Sequence, residues 1–445
     1  MKFIILGLCY MIIKDIDKEV IIIGAGIVGI TLATRLKKMG MNPVIFEEHE
    51  ERELVDVYDE RSVNITISQR GIMALEKIDC ADELRENSMS VTGRTYFIEG
   101  ASHFSPYSLR SDLCLYSIER KTLMKILIQK AKKQGVKIHF GHKLVEVKCL
   151  NKTCFFLNKK KIYKNSYSFL FGVDGAHSKV RNSLGVPYTI TQSDCIYKKI
   201  DIDSKNAIRL GLNNNSVNIW PNPKGLFFAL PNKDGSYSGL INLTSKILDE
   251  LEGDDKLLNS YFPDLIRNID DFYKKFSTTS SGSFKEIYCG KWFSRNSILL
   301  MGDAVHAMMP FYAQGANCAL EDVSIFCEIL EGNDNDLHSA SLEFEKMRPS
   351  DAYAVCDLSR KNLESLKAEG NFEEHLGLRN LDLILEQKFP DYFSEYSMVA
   401  FTNIPYDKIS KISQKRQEIL KEYANQIINK IPDDIINEIY LKYGK

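Results

Sequence analysis

Glu19 to Gly29 reads EVIIIGAGIVG, and it restricts the start of the chain to very few folds. The β-branched run Val20 to Ile23 has the signature of a buried strand. Gly24, Gly26 and Gly29 then space a GxGxxG turn. Ile30 to Met39 follows with helical periodicity and stops at Gly40. Pro43 to Phe46 reads as a second strand, ending at Glu47 and Glu48. A strand–turn–helix–strand unit of this kind is built for a dinucleotide. Gly24 permits the tight turn, Gly26 lets a pyrophosphate reach the backbone, and Gly29 allows close helix–strand packing. The helix N-terminus faces the phosphates, and Glu47 can accept from a ribose hydroxyl. Gly24, Gly26, Ile27, Val28, Gly29, Glu47 and Glu48 are therefore the first cofactor-binding candidates. The choice between FAD and NAD is open at this point.

Two later stretches repeat the theme of a strand ending in an acid. Ser168 to Gly172 leads into Asp174-Gly175, then Ser178 and Arg181. Ile298 to Met301 stops at Gly302-Asp303, passes Pro310, and enters a helical pattern through Gln314-Gly315-Ala316-Asn317. The free N–H groups at that helix start suit an electron-rich ring edge or an anion. Between these landmarks, Arg61 to Ser68 alternates like a strand and Gln69 to Leu84 reads as a helix. Arg94 to Tyr107 reads as a hairpin turning at Gly100. Ser117 to Lys133 reads as an amphipathic helix capped by Ser117, with Arg120 in its first turn, where a cation points to a partner such as a phosphate. From Ile200 to Leu243, strand-like runs alternate with turn clusters, as in an antiparallel sheet. Leu248 to Phe276 reads as helical with a fresh start at Pro263-Asp264. Beyond Leu342 the pattern is helical, with breaks at Pro349, Gly370, Pro390 and Pro405.

The chain of 445 residues has a net charge of −1, which gives no electrostatic case for nucleic acid or an anionic membrane. Its ten cysteines form no CxxC pair and no Cys/His cluster with ligand spacing, so free thiols and no metal are expected in a cytoplasmic protein. Met1 to Ile13 is apolar but too short to span a membrane. It reads as an irregular extension, or as residues upstream of a natural start at Met11. The C-terminal part has no apolar run approaching ~20 residues, so no membrane anchor is expected there.

The three motifs, GAGIVG with Glu47, GVDGAHSKVR and GDAVHAMMPFYAQGANCALED, together resemble the FAD-dependent aromatic hydroxylases of the para-hydroxybenzoate hydroxylase type. DLSRKNLE and YSMVAFTNIPY, in the C-terminal region, are similar to the kynurenine 3-monooxygenase branch. The resemblance implies an α/β (α+β) fold of two interleaved domains. A Rossmann-like FAD-binding domain would use residues 19–80, 111–184 and 285–345. An antiparallel substrate domain would use 81–110 and 185–284, and a helical region 346–445. It further implies FAD contacts from Arg61, Thr66, Arg120, Leu144, Val145, Asp174, Gly302, Asp303, Pro310, Gly315, Ala316 and Asn317. Arg94, Tyr107, Asn362 and Tyr396 would hold the amino-acid end of the substrate, with Phe311 and Gln314 beside its ring. The reaction implied is hydroxylation of L-kynurenine beside its aniline nitrogen, in tryptophan catabolism, by NADPH and O2 through a flavin C4a-hydroperoxide. No catalytic base is needed, because the aniline ring is already electron-rich. The partners implied are the small aromatic amino acid and O2, for a monomer or homodimer.

Tyr312, Ala313 and Ala316 depart from the family's usual PFFGQGMN. Ala313 stands in place of a glycine, which constrains the backbone if that position needs positive φ. Two other readings share these motifs. One is a hydroxylase of the same family acting on another aromatic acid or a drug. The other is a flavoprotein that binds ligand without hydroxylating it. Product analysis separates all three.

Overall fold

Glu19–Ile23 forms the middle of a parallel sheet in the computed structural model, which describes residues 19–53, 64–110, 113–222, 224–367, 372–427 and 433–443. Arg61 and the segment before Glu19 lie outside the described residues. The main sheet runs in the order Phe293–Ser294, Ile298–Leu300, Lys161–Gly172, Glu19–Ile23, Pro43–Phe46, Lys137–His139. Register fixes what matters for function. Ile23 pairs with both Phe46 and Gly172, and Gly172 pairs with Leu300. The carboxyl ends of these four strands therefore lie on one line. Gly24, Glu47, Asp174 and Asp303 follow them at the same sheet edge, where open α/β sheets bind ligands.

The Ile27–Lys38 helix lies against this sheet with Ile30, Leu32, Ala33 and Leu36 fully buried. Each large apolar side chain buried this way contributes about 1.5–3 kcal/mol. Arg35, Lys37 and Lys38 occupy its last turn, where cations complement the helix dipole. Gly40, at φ +87°, closes it in the left-handed region.

A seven-stranded sheet stands over the carboxyl edge, in the order Gly282–Cys289, Tyr188–Lys199, Tyr237–Thr244, Gly225–Pro231, Ser216–Asn222, Gly93–Ile98, Ala101–Pro106. Side chains alternate across it. Trp220, Phe227 and Ile241 join a core with the helices of residues 245–278. Their neighbours Ile219, Leu226, Phe228 and Leu240 face the opposite way, into a cavity. A three-stranded sheet of Ile65–Ile67, Leu115–Ile118 and Met89–Val91 flanks the junction. The helices Leu337–Lys367, Phe372–Lys388, Glu395–Phe401, Tyr406–Ile427 and Asp433–Tyr443 complete the α/β architecture. Among the described residues no helix is long and apolar enough to cross a membrane.

Several local expectations need correction. Ser117 does not cap a helix. It lies in the Leu115–Ile118 strand, and its hydroxyl donates to the Pro231 carbonyl, while the helix starts at Arg120 after Glu119. Pairing with Thr66 on one side and Met89 on the other outweighs the capping preference of serine. Gln69 to Leu84 is two helices, Gln69–Glu76 and Ala81–Glu86, because Asp79 takes φ +54° between them. Residues 245–278 form four short helices, with Gly253 at φ +87° and Asp271 at φ +57° adding breaks to the one at Pro263. Pro349 does not break the Leu337–Lys367 helix, since Arg348 and Asp351 on either side of it are locked into a buried ion network. Ser204–Leu210 is a helix inside the stretch read as strand-like runs and turn clusters. Asp203 accepting from the Asn206 N–H and Gly211 at φ +64° are the cap signals that mark it.

Candidate active site

A cavity of about 900 Å³ lies between the carboxyl edge of the parallel sheet and the inner face of the seven-stranded sheet. At one end are Gly24, Gly26, Ile27, Val28, Glu47 and Glu48. Gly26 leads into the twelve-residue helix with no side-chain cap and no acid in the first turn. A Cβ on Gly26 would meet no protein atom within 4 Å, so its backbone is open to the cavity. Gly29 is different. A Cβ there would come within 2.0 Å of the Gly24 carbonyl oxygen, so its role is close packing. Glu47 is buried, with Oε2 accepting from the Ala25 N–H at 2.7 Å and Oε1 from the His49 N–H at 3.0 Å. These bonds aim the carboxylate while leaving lone pairs for a hydroxyl.

The second helix N-terminus comes from the Gly315–Gly332 helix. It too has no side-chain cap and no acid in its first turn, and Gly315 and Ala316 line the cavity. Two unneutralised helix N-termini, of 12 and 18 residues, therefore face one space. With the open backbone at Gly26 and the aimed carboxylate of Glu47, this donor set fits a dinucleotide carrying a pyrophosphate and an electron-rich ring.

Thr66, Arg120, Leu144, Asp174, Asp303 and Pro310 also line the cavity. Asp174 turns the chain there by accepting from Ser178 Oγ at 2.6 Å and from the Lys179 N–H at 2.7 Å. Val145 is 46% exposed and is not among the lining residues. Gly302 and Asn317 stand behind the wall rather than in it. The Gly302 N–H donates to Asp322 Oδ2 at 3.1 Å. Asn317 accepts from the Ser68 N–H and donates to the Thr66 and Ala313 carbonyls at 2.8–2.9 Å, bracing three segments at once.

The other end of the cavity is aromatic and carries one guanidinium. Arg94, on the Gly93–Ile98 strand, has its Cζ 5.0 Å from the Tyr396 ring centroid and 5.8 Å from that of Tyr107. Tyr107 and Tyr396 stack at 4.4 Å, and Tyr312 stacks on Tyr396 at 5.4 Å. Among the described residues no carboxylate forms an ion pair with Arg94, although it lies in a largely desolvated setting. A guanidinium held this way is a receptor for an anion. Arg379 steadies the stack by donating to the Pro106 and Tyr107 carbonyls and to Ser394 Oγ. Phe311 lines the space between the two ends. Gln314 and Asn362 do not line it. Gln314 accepts from the Tyr406 hydroxyl at 3.1 Å, and Asn362 donates to the Phe311 carbonyl at 2.6 Å. Sequence reading missed the apolar wall of Tyr197, Val217, Ile219, Leu226, Phe228 and Phe284. The strands Gly225–Pro231 and Tyr237–Thr244 are buried on both faces, so no alternation in the sequence marks which face looks into the cavity.

Behind the second turn lies a buried ion network. Asp322 accepts from His306 Nε2 at 2.6 Å and from Arg348 Nε at 2.7 Å, and Arg348 Nη2 reaches Glu321 at 2.8 Å. Burial pushes the Asp322 carboxyl up, but His306 and Arg348 outweigh it and hold the group below the ordinary carboxylate range. His306, Cys318 and Asp322 bring ligand atoms within 4.8 Å of one another. The Arg348 guanidinium already supplies the positive charge there, which makes the cluster an ion network.

The family described as an FAD binding domain matches residues 17–333. The kynurenine 3-monooxygenase of Cytophaga hutchinsonii is 30% identical over 433 residues, covering 94% of this chain and 95% of that one. The kynurenine 3-monooxygenase of Candida albicans is 29% identical over 430 residues, covering 92% and 93%. Among solved structures, the tetrameric form of 2-methyl-3-hydroxypyridine-5-carboxylic acid oxygenase superposes with a TM-score of 0.66 at 19% identity, covering 82% of this chain and 97% of that one. At that identity the likeness concerns the fold.

Proposed function

The chain belongs to the FAD-binding family of aromatic monooxygenases, in its kynurenine 3-monooxygenase branch, and from that premise we propose that it hydroxylates L-kynurenine to 3-hydroxy-L-kynurenine with NADPH and O2. Bound FAD would supply the redox chemistry of the hydroxylation, with NADPH as reductant and O2 as the source of the oxygen atom. The protein binds, orients and excludes water. Gly24, Gly26, Ile27 and Val28 receive the pyrophosphate, and Glu47 the adenosine ribose. The N–H groups of Gly315 and Ala316, at the uncapped helix start, would hold the flavin ring. Leu226, Phe228, Phe284 and Phe311 supply a dry wall for the substrate ring. The aniline nitrogen activates that ring, so the reading assigns no side chain as a base.

The observation that carries the substrate assignment is the Arg94 guanidinium, without a carboxylate partner among the described residues, beside the Tyr107–Tyr396 stack. It matches the α-carboxylate of an aromatic amino acid. Asn362 acts on the site through the Phe311 carbonyl, and Gln314 through Tyr406. Among the described residues no cysteine forms a disulfide, which supports work in a reducing cytoplasm. Arg94→Met tests the assignment. A lost charge-assisted bond of roughly 1.5–3 kcal/mol should raise the KM for kynurenine about 10- to 150-fold, with FAD content per chain unchanged. An unchanged KM removes Arg94 from the site.

A further inference from the structure

Tyr312 closes the Pro310–Tyr312 turn, directly before Ala313. Its ring is buried, lines the cavity and lies 19° from parallel to Tyr396. Its hydroxyl points away from the cavity and donates to Glu395 Oε1 at 3.0 Å. Glu395 is not among the lining residues, and it immediately precedes Tyr396 at the start of the Glu395–Phe401 helix. That helix has only seven residues, too few for helix propensity to hold it in place. Its later residues are anchored by burial of Met398, Val399 and Ala400 and by Arg70 Nε donating to the Val399 carbonyl, while its first turn, which carries Tyr396, is held by cross-links. One is Ser394, which accepts from Arg379 and from the Ser397 N–H. Another is the Tyr312–Glu395 bond, which ties the turn beside the cofactor end to the residue next to Tyr396. Tyr396 thus stacks on two rings, Tyr107 at 4.4 Å and Tyr312 at 5.4 Å, and meets Phe401 edge-on at 6.4 Å.

We propose that Tyr312 and Glu395 are a positioning pair that holds Tyr396 for the amino-acid end of the substrate, so that the pair selects ligands carrying that end. The inference rests on the proposed function and deepens it. Neither residue need touch the carboxylate. Without the bond, the short helix and Tyr396 lose their tether to the Pro310–Tyr312 turn, and Arg94 must hold the anion with a wandering hydroxyl beside it. The aromatic ring of the substrate, bound by the apolar wall, is indifferent to the change.

The test uses the FAD-loaded protein and two ligands, L-kynurenine and 2-aminoacetophenone, which keeps the aminophenyl ketone and lacks the amino-acid end. Dissociation constants are read from the change in flavin absorbance. Tyr312→Phe and Glu395→Ala should each weaken kynurenine about five- to tenfold and leave 2-aminoacetophenone within twofold. Glu395→Gln, which keeps an acceptor, should lose less than Glu395→Ala. The double variant should lose little beyond either single one, as for two halves of one interaction. Kynurenine affinity unchanged in both single variants, equal losses for the two ligands, or fully additive losses would each overturn the pairing. If the unaltered protein binds no kynurenine, the proposed function fails and the pairing with it. If it binds kynurenine and the variants do not differ from it, only the pairing fails.

Discussion

Ala313 carries backbone strain at the centre of the cavity. It sits at φ +54° and ψ +31°, where an L-residue costs about 1–2 kcal/mol more than in the right-handed region. The turn keeps it there because the Ala313 N–H donates to the Pro310 carbonyl at 2.8 Å and its own carbonyl accepts from Asn317 Nδ2 at 2.8 Å. Reading the motif located this position as one where the family uses glycine, and the backbone has the positive φ that gives the substitution its meaning. Ala313→Gly should relieve that strain. A glycine also loosens the unfolded chain by about 0.4–1 kcal/mol, so the net gain should lie between about 0 and 1.6 kcal/mol. A thermal melt should therefore rise slightly or stay level, whereas Ala313→Val should lower it. A clear fall for glycine would show that the strain is not there. The directions of neighbouring side chains were less legible. Gln314 turns to Tyr406, 92 residues away, and Asn362 to the Phe311 carbonyl. No local pattern encodes partners that distant.

Among elements, the first strand–turn–helix unit was readable closely, with the strand within one residue and the helix start three residues late, because each glycine answers to a different local requirement. The same distinction gives a paired test. Gly29→Ala places a Cβ 2.0 Å from the Gly24 carbonyl oxygen and should impair folding itself, seen as loss of soluble yield or a much lower melting temperature. Gly26→Ala meets no protein atom within 4 Å. It should leave the melting temperature of the apoprotein unchanged while reducing FAD retention on gel filtration, since its methyl occupies the approach of the pyrophosphate. Equal damage to the apoprotein from both would contradict the division of roles. Elements whose boundaries depend on tertiary partners were harder to read. The Leu337–Lys367 helix runs through Pro349 because Arg348 and Asp351 are pinned within it. Ser117 belongs to a strand because Ile65–Ile67 pairs with it, and serine alone suggested a cap.

For the whole molecule, function follows from two sheets meeting at one edge. The parallel sheet brings four loops to a line, and the antiparallel sheet turns an apolar face and Arg94 toward them. Three of those loops were visible in the sequence as glycine-acid motifs far apart in the chain. The apolar wall was not, because which face of each strand looks inward depends on the register between Ser216–Asn222, Gly225–Pro231 and Tyr237–Thr244. In the proposed function, ring-end chemistry and anion-end recognition would thus come from different parts of the sequence, and only substrate turnover would need both. The most direct test is therefore to incubate the FAD-loaded protein with L-kynurenine, NADPH and O2 while measuring NADPH consumption, 3-hydroxykynurenine and hydrogen peroxide together. Kynurenine should accelerate NADPH oxidation, with 3-hydroxykynurenine accumulating in proportion to the NADPH used. NADPH oxidation that ignores kynurenine, or that yields peroxide with no hydroxylated product, would contradict the account.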